Sequence, residues 1–282
     1  MGSFAKVHGN GNDFIVLENL DDHYSSEELG RLARLLCRRK FSIGADGVLV
    51  AEKDKTPACS EVDFSMRIFN ADGSEGEMCG NGARALARYA FEKKLAGASM
   101  CFSTLAGLVK ARVEPPYAEL DMGELDLSQG VFGRCVKSHG LEFPYVFLTV
   151  GVPHCILFTD DYDVLDSIAK TAIGREISHD YALFPLGSNV SFAQMLPGGN
   201  AKAVTYERGV EELTESCGTG SVAVAVAFNI VGEAGPAVRV HNPGGINDVR
   251  LLFSSDNKSC HAWLKGKTAI VAEGIFGEEA LL

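Results

Sequence analysis

Two short runs in this sequence could do chemistry: Cys79-Gly80-Asn81-Gly82-Ala83 and Cys217-Gly218-Thr219-Gly220-Ser221. Each follows a polar loop and opens an apolar stretch of helical character, so each cysteine is expected at a helix N-terminus. A thiol there sees the positive end of the helix dipole, which favours the basic or nucleophilic thiolate. The glycines behind it remove side chains and let backbone N–H groups approach a bound anion. One such element can hold a carboxylate. Two facing each other would grip one carboxylate from both sides, with a sulfur on each face of the adjacent carbon. That arrangement suits stereoinversion, in which one thiolate removes a proton and the opposite thiol returns one. Charge developing on the carboxylate oxygens would be stabilised by preorganised amides. No metal or organic cofactor is required.

The elements that must position these residues can be read from the patterning. The first cysteine predicts a helix through Ala83–Tyr89 that stops by Gly97, and the second a helix through Ser221–Phe228 that stops by Gly232. The second is apolar all round, which predicts a central helix wrapped by sheet. Leu29, Leu32, Leu35 and Leu36 predict an amphipathic helix over Ser26–Arg39, whose solvated end carries Arg38, Arg39 and Lys40. Val62, Phe64, Met66 and Ile68 alternate with polar residues, as do 190–193 and 203–206 more loosely, which reads as half-buried strands. The recurrence of the C-G-[NT]-G-[AS] element implies two structurally similar halves, with a boundary near Pro115-Pro116 or shortly after.

Composition narrows the classes. A chain of 282 residues with 46% hydrophobic and 22% charged residues can build one large or two medium cores. A net charge of −11 argues against a general nucleic-acid or anionic-membrane binder. No signal-like segment opens the chain, and the longest apolar run, Val222–Phe228, is too short to span a bilayer. A cytoplasmic location is therefore expected. Eight cysteines occur without a C-x-x-C pair, so neither a disulfide framework nor a zinc site is indicated. Cys37, Cys59, Cys101, Cys135, Cys155 and Cys260 read mostly as buried small hydrophobes.

At the two cysteine motifs the sequence resembles the diaminopimelate epimerase family, which interconverts the LL and meso forms of its substrate. The resemblance extends over essentially the whole chain. It includes Lys6-Val7-His8-Gly9-Asn10-Gly11-Asn12-Asp13-Phe14, Ile43-Gly44-Ala45-Asp46-Gly47, the long stretch Met66–Ser74 followed by Glu77–Arg84, and Glu207-Arg208-Gly209-Val210 before Cys217. It implies an α/β (α+β) fold of two pseudo-symmetric domains, each a curved, mostly antiparallel sheet around a central helix, with the site in the cleft between them. The domains would be 1–120 with 268–282, and 121–267, and the family commonly forms homodimers. The resemblance also makes Cys79 and Cys217 the acid/base pair, assisted respectively by His154 and Glu207. It assigns the reacting carboxylate to Gly80, Asn81, Gly218 and Thr219, and the distal amino-acid end to Asn12, Asn70, Asn189, Glu207 and Arg208.

Two departures stand out. Where the family has an asparagine in a G-N-P-H motif, this chain has Gly151-Val152-Pro153-His154, so one polar contact to the distal group is missing. The Arg208–Cys217 segment is longer by one residue, and its acidic Glu211, Glu212 and Glu215 could raise the Cys217 pKa. Val152 motivates the alternative of a racemase for another amino acid on the same scaffold. A Cys–His hydrolase built on Cys79 and His154 would leave the second cysteine motif unused, and a non-catalytic binding protein would leave both unused.

Overall fold

The computed structural model describes residues 2–55 and 62–282. The fold is mixed α/β. It divides into two compact units, Met1–Asp121 with Gly266–Leu282, and Met122–Lys265.

In the first unit, β1 (Gly2–Gly9) turns into the antiparallel β2 (Asn12–Asn19), and α1 (Ser26–Leu36) leads to β3 (Gly47–Glu52), parallel to β2. Next come β4 (Phe64–Asn70), antiparallel to β3, and the short hairpin partner β5 (Glu75–Gly76). Then α2 (Gly80–Glu92) crosses to β6 (Ser99–Thr104), parallel to β4, followed by β7 (Gly107–Glu114) and β8 (Tyr117–Asp126). The C-terminal part of the last strand, Thr268–Phe276, pairs antiparallel with β1, so this unit is closed by both ends of the chain. Helix α2 packs against β1, β2, β3, β4 and β7. Helix α1 packs its Leu29, Leu32 and Leu36 into a separate core with Ile15, Val48, Phe69 and Phe276.

The second unit repeats this plan. After β9 (Val131–Ser138) come β10 (Leu141–Val150), β11 (Val152–Phe158), α3 (Ser167–Ser178) and β12 (Asn189–Leu196). They are followed by β13 (Asn200–Glu207), the short β14 (Glu212–Thr214), α4 (Gly218–Ile230), β15 (Ala237–Asn242), β16 (Gly245–Phe253) and β17 (Ser259–Phe276). Strand directions match step for step. β11 is antiparallel to β10 and parallel to β12, β13 and β14 form the short hairpin, and β15 runs parallel to β13. Thus β10 through β16 correspond in order to β1 through β7.

Helix α4 is buried from Gly220 to Phe228, in a core with strands β10 to β13, β15 and β16. Its three valines are poor helix formers, so packing rather than propensity holds it helical. Among the described residues no helix is long and apolar enough to cross a membrane.

Several local expectations need correction. Helix α1 ends at Leu36 with Cys37 as its C-cap, and Arg38, Arg39 and Lys40 lie in the turn beyond. The segments 190–193 and 203–206 are buried on both faces rather than half-buried. Ala193, Ala201 and Ala203 face α4, while Val190, Phe192, Val204 and Tyr206 pack in a second core with Ile173 and Ile177 of α3. Cys37, Cys155 and Cys260 are buried, but Cys101 is half-buried and Cys135 is exposed on β9; Cys59 lies outside the described residues.

Candidate active site

Each cysteine motif forms the N-terminus of its unit's central helix, and the cysteine is itself the N-cap. Cys79 and Cys217 have extended backbone conformations. Their sulfurs accept the backbone N–H of the third helical residue, Gly82 at 3.5 Å and Gly220 at 3.3 Å. A thiol thus does the capping that Ser, Thr, Asn or Asp usually does. Compactness is enforced behind it. A Cβ on Gly82 would come 2.9 Å from Leu49, and one on Gly220 would come 2.8 Å from the Thr205 hydroxyl and 3.1 Å from the Cys217 sulfur. A Cβ on Gly80 would meet nothing within 4 Å, so the first turn of α2 has open space beside it.

In the first unit, the Cys79 thiol donates to Oδ1 of Asn12, on β2, at 3.6 Å. Nδ2 of Asn81 donates to the same oxygen at 3.4 Å. Asn81 is anchored in turn by Arg84, one helical turn on, whose Nη2 donates to Asn81 Oδ1 at 2.6 Å. Arg84 is fully buried, and burial pushes it down to about 10, which leaves it a cation at neutral pH. At the other end, Asn12 Nδ2 donates to Asp46 Oδ2 at 2.7 Å. Asn70 ends β4 with an exposed side chain whose Nδ2 donates to Ser74 Oγ at 3.0 Å.

The second unit surrounds its cysteine differently. The buried Cys217 thiol donates to the Glu207 carboxylate at the end of β13, which also accepts from Thr214 Oγ1 at 2.6 Å. The Thr219 hydroxyl lies 3.6 Å from the Cys217 sulfur and 3.1 Å from Nε2 of His154. Asn189 Oδ1 accepts the Arg208 backbone N–H at 2.8 Å, and the exposed Arg208 guanidinium donates to the Leu186 carbonyl.

Burial dominates the electrostatics here. It pushes the Cys217 thiol well above its ordinary range, the Glu207 carboxylate pushes it further, and the Thr219 hydroxyl and Gly220 amide oppose only in part. Burial and Glu207 therefore hold Cys217 as the thiol, contrary to the expectation from its helix N-terminal position alone. Glu207 is also raised, by burial, with the Thr214 and Cys217 hydrogen bonds pulling it back. The extra acidic residues of the longer loop are not among the causes. Glu211 instead accepts from the Tyr206 hydroxyl at 2.8 Å. His154 has no exposed surface, and burial drops it to about 3, so its ring is neutral at physiological pH. Its Nδ1 has no hydrogen-bond partner among the described residues.

The strand registers let the two surroundings be superposed. Phe14 pairs with Gly47 and His154 with Asn189, so Asn12 corresponds to Val152 and Asp46 to Ser188. Gly47 pairs with Asn70, so Asn70 corresponds to Glu207. One sulfur faces a carboxamide from the second strand of its unit, the other a carboxylate from the fourth. The structure therefore gathers Asn12, Cys79 and Asn81 in one unit, and His154, Cys217, Thr219 and Glu207 in the other. Thr214 and Asp46 touch these groups and were not singled out for them in the sequence. Thr214 stands three residues before Cys217, and Asp46 sits in the quoted Ile43–Gly47 motif.

Comparison with known proteins agrees with this architecture. The family model described as diaminopimelate epimerase matches residues 4–127 and 146–267. The diaminopimelate epimerase of Methanothrix thermoacetophila is 36% identical, the match covering 99% of this chain and 97% of that protein. That of Archaeoglobus fulgidus is 36% identical over 97% and 95%. Among solved structures, a phenazine biosynthesis protein of the PhzF family from Bacillus anthracis superposes with a TM-score of 0.72 at 15% identity, covering 98% of this chain and 100% of that one. A hydroxyproline epimerase from Agrobacterium vitis, with trans-4-hydroxy-L-proline bound, gives 0.67 at 15% identity over 96% and 91%. At that identity the two solved structures bear on fold alone.

Proposed function

The chain belongs to the diaminopimelate epimerase family, a family of isomerases, and on that premise we propose that it interconverts LL- and meso-diaminopimelate by a two-base mechanism on Cys79 and Cys217. The observation that carries the proposal is the duplicated helix start, with a sulfur capping each central helix and hydrogen-bonded to a polar acceptor. In this reading one cysteine enters the cycle as thiolate and the other as thiol. The thiolate takes the α-proton, the thiol protonates the opposite face, and the two protonation states exchange over one turnover.

Glu207 is the acceptor for the Cys217 proton. Because both groups are raised by burial, the transfer exchanges one buried acid for another and needs no solvent. His154 enters as a neutral imidazole, in line with its depressed pKa, and is proposed to assist Cys79. Backbone amides of Gly80, Asn81, Gly218 and Thr219 would bind the reacting carboxylate, and Asn70, Asn189, Arg208 and Asn12 the distal end. A homodimer in the cytoplasm belongs to the same reading.

Incubating the reduced protein with LL-diaminopimelate in D2O, and following the α-proton by NMR, tests the proposal. Loss of that signal with appearance of the meso form, absent in Cys79→Ala and Cys217→Ala, is expected. Silence in folded, reduced protein rejects diaminopimelate as substrate. A second reading, another amino acid on the same scaffold, draws on Val152. It is 37% exposed at the place matching Asn12, and offers no polar group. A panel of amino acids in the same exchange assay separates the two.

A further inference from the structure

The Ile43–Gly47 motif has no part in the mechanism above, yet its Asp46 touches it at one remove. Asp46 stands where the chain enters β3, and the parallel pairing with β2 brings it beside Asn12 and Asp13. Its Oδ2 accepts from Asn12 Nδ2 at 2.7 Å and from the Asp13 backbone N–H at 3.0 Å, and its Oδ1 accepts from Arg39 at 2.8 Å. A carboxylate holding three donors can only accept. It therefore forces the NH2 end of Asn12 toward itself and the carbonyl end toward Cys79.

The far end of the chain is fixed by the opposite logic. Arg84 can only donate, so it holds the carbonyl of Asn81 and leaves the NH2 of Asn81 to face Asn12. An acceptor-only group at one end and a donor-only group at the other leave both amides a single orientation. That orientation places Asn12 Oδ1 as acceptor for the Cys79 thiol.

The second unit supplies an internal control. Where Asn12 is matched by Val152, Asp46 is matched by Ser188, whose hydroxyl donates to the Asn189 carbonyl at 2.8 Å and serves no side-chain amide. The carboxylate is present where there is a carboxamide to orient and absent where there is none.

We infer that Asp46 is a positioning residue for Cys79: it locks the Asn12 carboxamide with its carbonyl oxygen on the sulfur, and so sets how readily that thiol gives up its proton. Its place in catalysis rests on the two-base reading, but the locking and its test do not. The charged groups around the lock are Asp13 on β2, Lys6 on β1, which pairs with Asp13, Arg39 from the turn after α1, and Arg84 on α2. Without Asp46 only the longer, 3.4 Å bond from Asn81 still holds the Asn12 oxygen, in place of the 2.7 Å bond to the carboxylate. The Asn12 amide can then turn against this weaker constraint, and its NH2 donates to the sulfur, which favours the thiolate.

The test is the rate of iodoacetamide alkylation at Cys79, read from the Cys79 peptide by mass spectrometry between pH 6 and 10. Asp46→Ser, the residue found at the matching place in the second unit, should alkylate about tenfold faster near neutral pH, through a downward shift of the midpoint. Added to Asn12→Ala, the same substitution should change nothing further. If the serine variant does not fold, Asp46→Ala, which leaves Asn12 Nδ2 no side-chain acceptor at this place, carries the test, and a shift of the same sign is expected. A Cys79 rate within about twofold of wild type, or a full shift persisting beside Asn12→Ala, overturns the inference. The readout involves no substrate, so a protein inactive on LL-diaminopimelate that shows the shift refutes the proposed function and leaves the lock standing.

Discussion

At the scale of single residues, the two sulfurs are chemically unequal. Cys79 faces a neutral carboxamide, whereas Cys217 faces a carboxylate that burial has made reluctant to ionise. Thr214 is one of the groups that resist this reluctance. Thr214→Val should move the acidic limb of kcat/KM to higher pH and lower the rate near neutrality about tenfold, while Thr214→Ser should restore both. In the proposed mechanism Glu207 also ties activity to stability. Its folded pKa is raised, so its contribution is fully present below the unfolded value of 4.5 and is lost as pH rises through the folded one. Glu207→Gln is neutral throughout. It should therefore unfold at higher denaturant than wild type at pH 7 while losing about 10²–10⁴-fold in kcat. His154 works in the other direction. Its folded pKa of about 3 lies below the ordinary 6.5, so unfolding takes up a proton, and stability falls as pH drops from 6.5 toward 3. The slope from this one group approaches about 1.4 kcal/mol per pH unit. Urea titrations at pH 7 and pH 5 should show His154→Asn losing less stability between them than wild type does.

At the scale of elements, the helix starts carry the proposed site, and their glycines divide into two kinds. Gly220 is boxed between Thr205 and the sulfur it supports, so Gly220→Ala should displace Cys217 and cost about 1–3 kcal/mol of stability. Gly80 borders open space. Gly80→Ala should fold with an almost unchanged melting temperature but, if the substrate carboxylate meets the helix amides as proposed, raise KM at least about tenfold, because the new methyl would enter that open space. Calorimetry beside steady-state kinetics separates the two cases. An equal loss of stability in both would show that the open space at Gly80 is not functional.

At the scale of the molecule, one plan of elements is used twice, and the first unit is completed only when the chain returns. Thr268–Phe276 pairs with β1, and Phe276 enters the α1 core at 4% exposure. Ending the chain at Lys265 should leave β1 an open edge and that core incomplete, giving aggregation visible by light scattering. Phe276→Ala should cost about 3–5 kcal/mol in urea titration. The repeat also explains how the two sulfur partners differ. The same backbone positions exist in both units, and Asn12 and Glu207 occupy different ones.

Much of this was legible in the sequence because it is local. Cys79 and Cys217 before their glycines mark helix N-termini through capping and backbone geometry that need only a few consecutive residues. The apolar sweep of Ser221–Phe228 likewise announces a wrapped central helix, and the motifs place the chain in its family. What the tertiary structure decided is non-local. Asn12 reaches Cys79 across 67 residues, and Asp46 reaches Asn12 across 34, through a parallel strand register that no periodicity encodes. The two-sided burial of β12 and β13 depends on α3 covering their outer face. The protonation of Cys217 was decided in the same way: its position promised a lowered pKa, but the surrounding fold removes the water a thiolate needs, and desolvation outweighs the Thr219 hydroxyl and Gly220 amide that favour it.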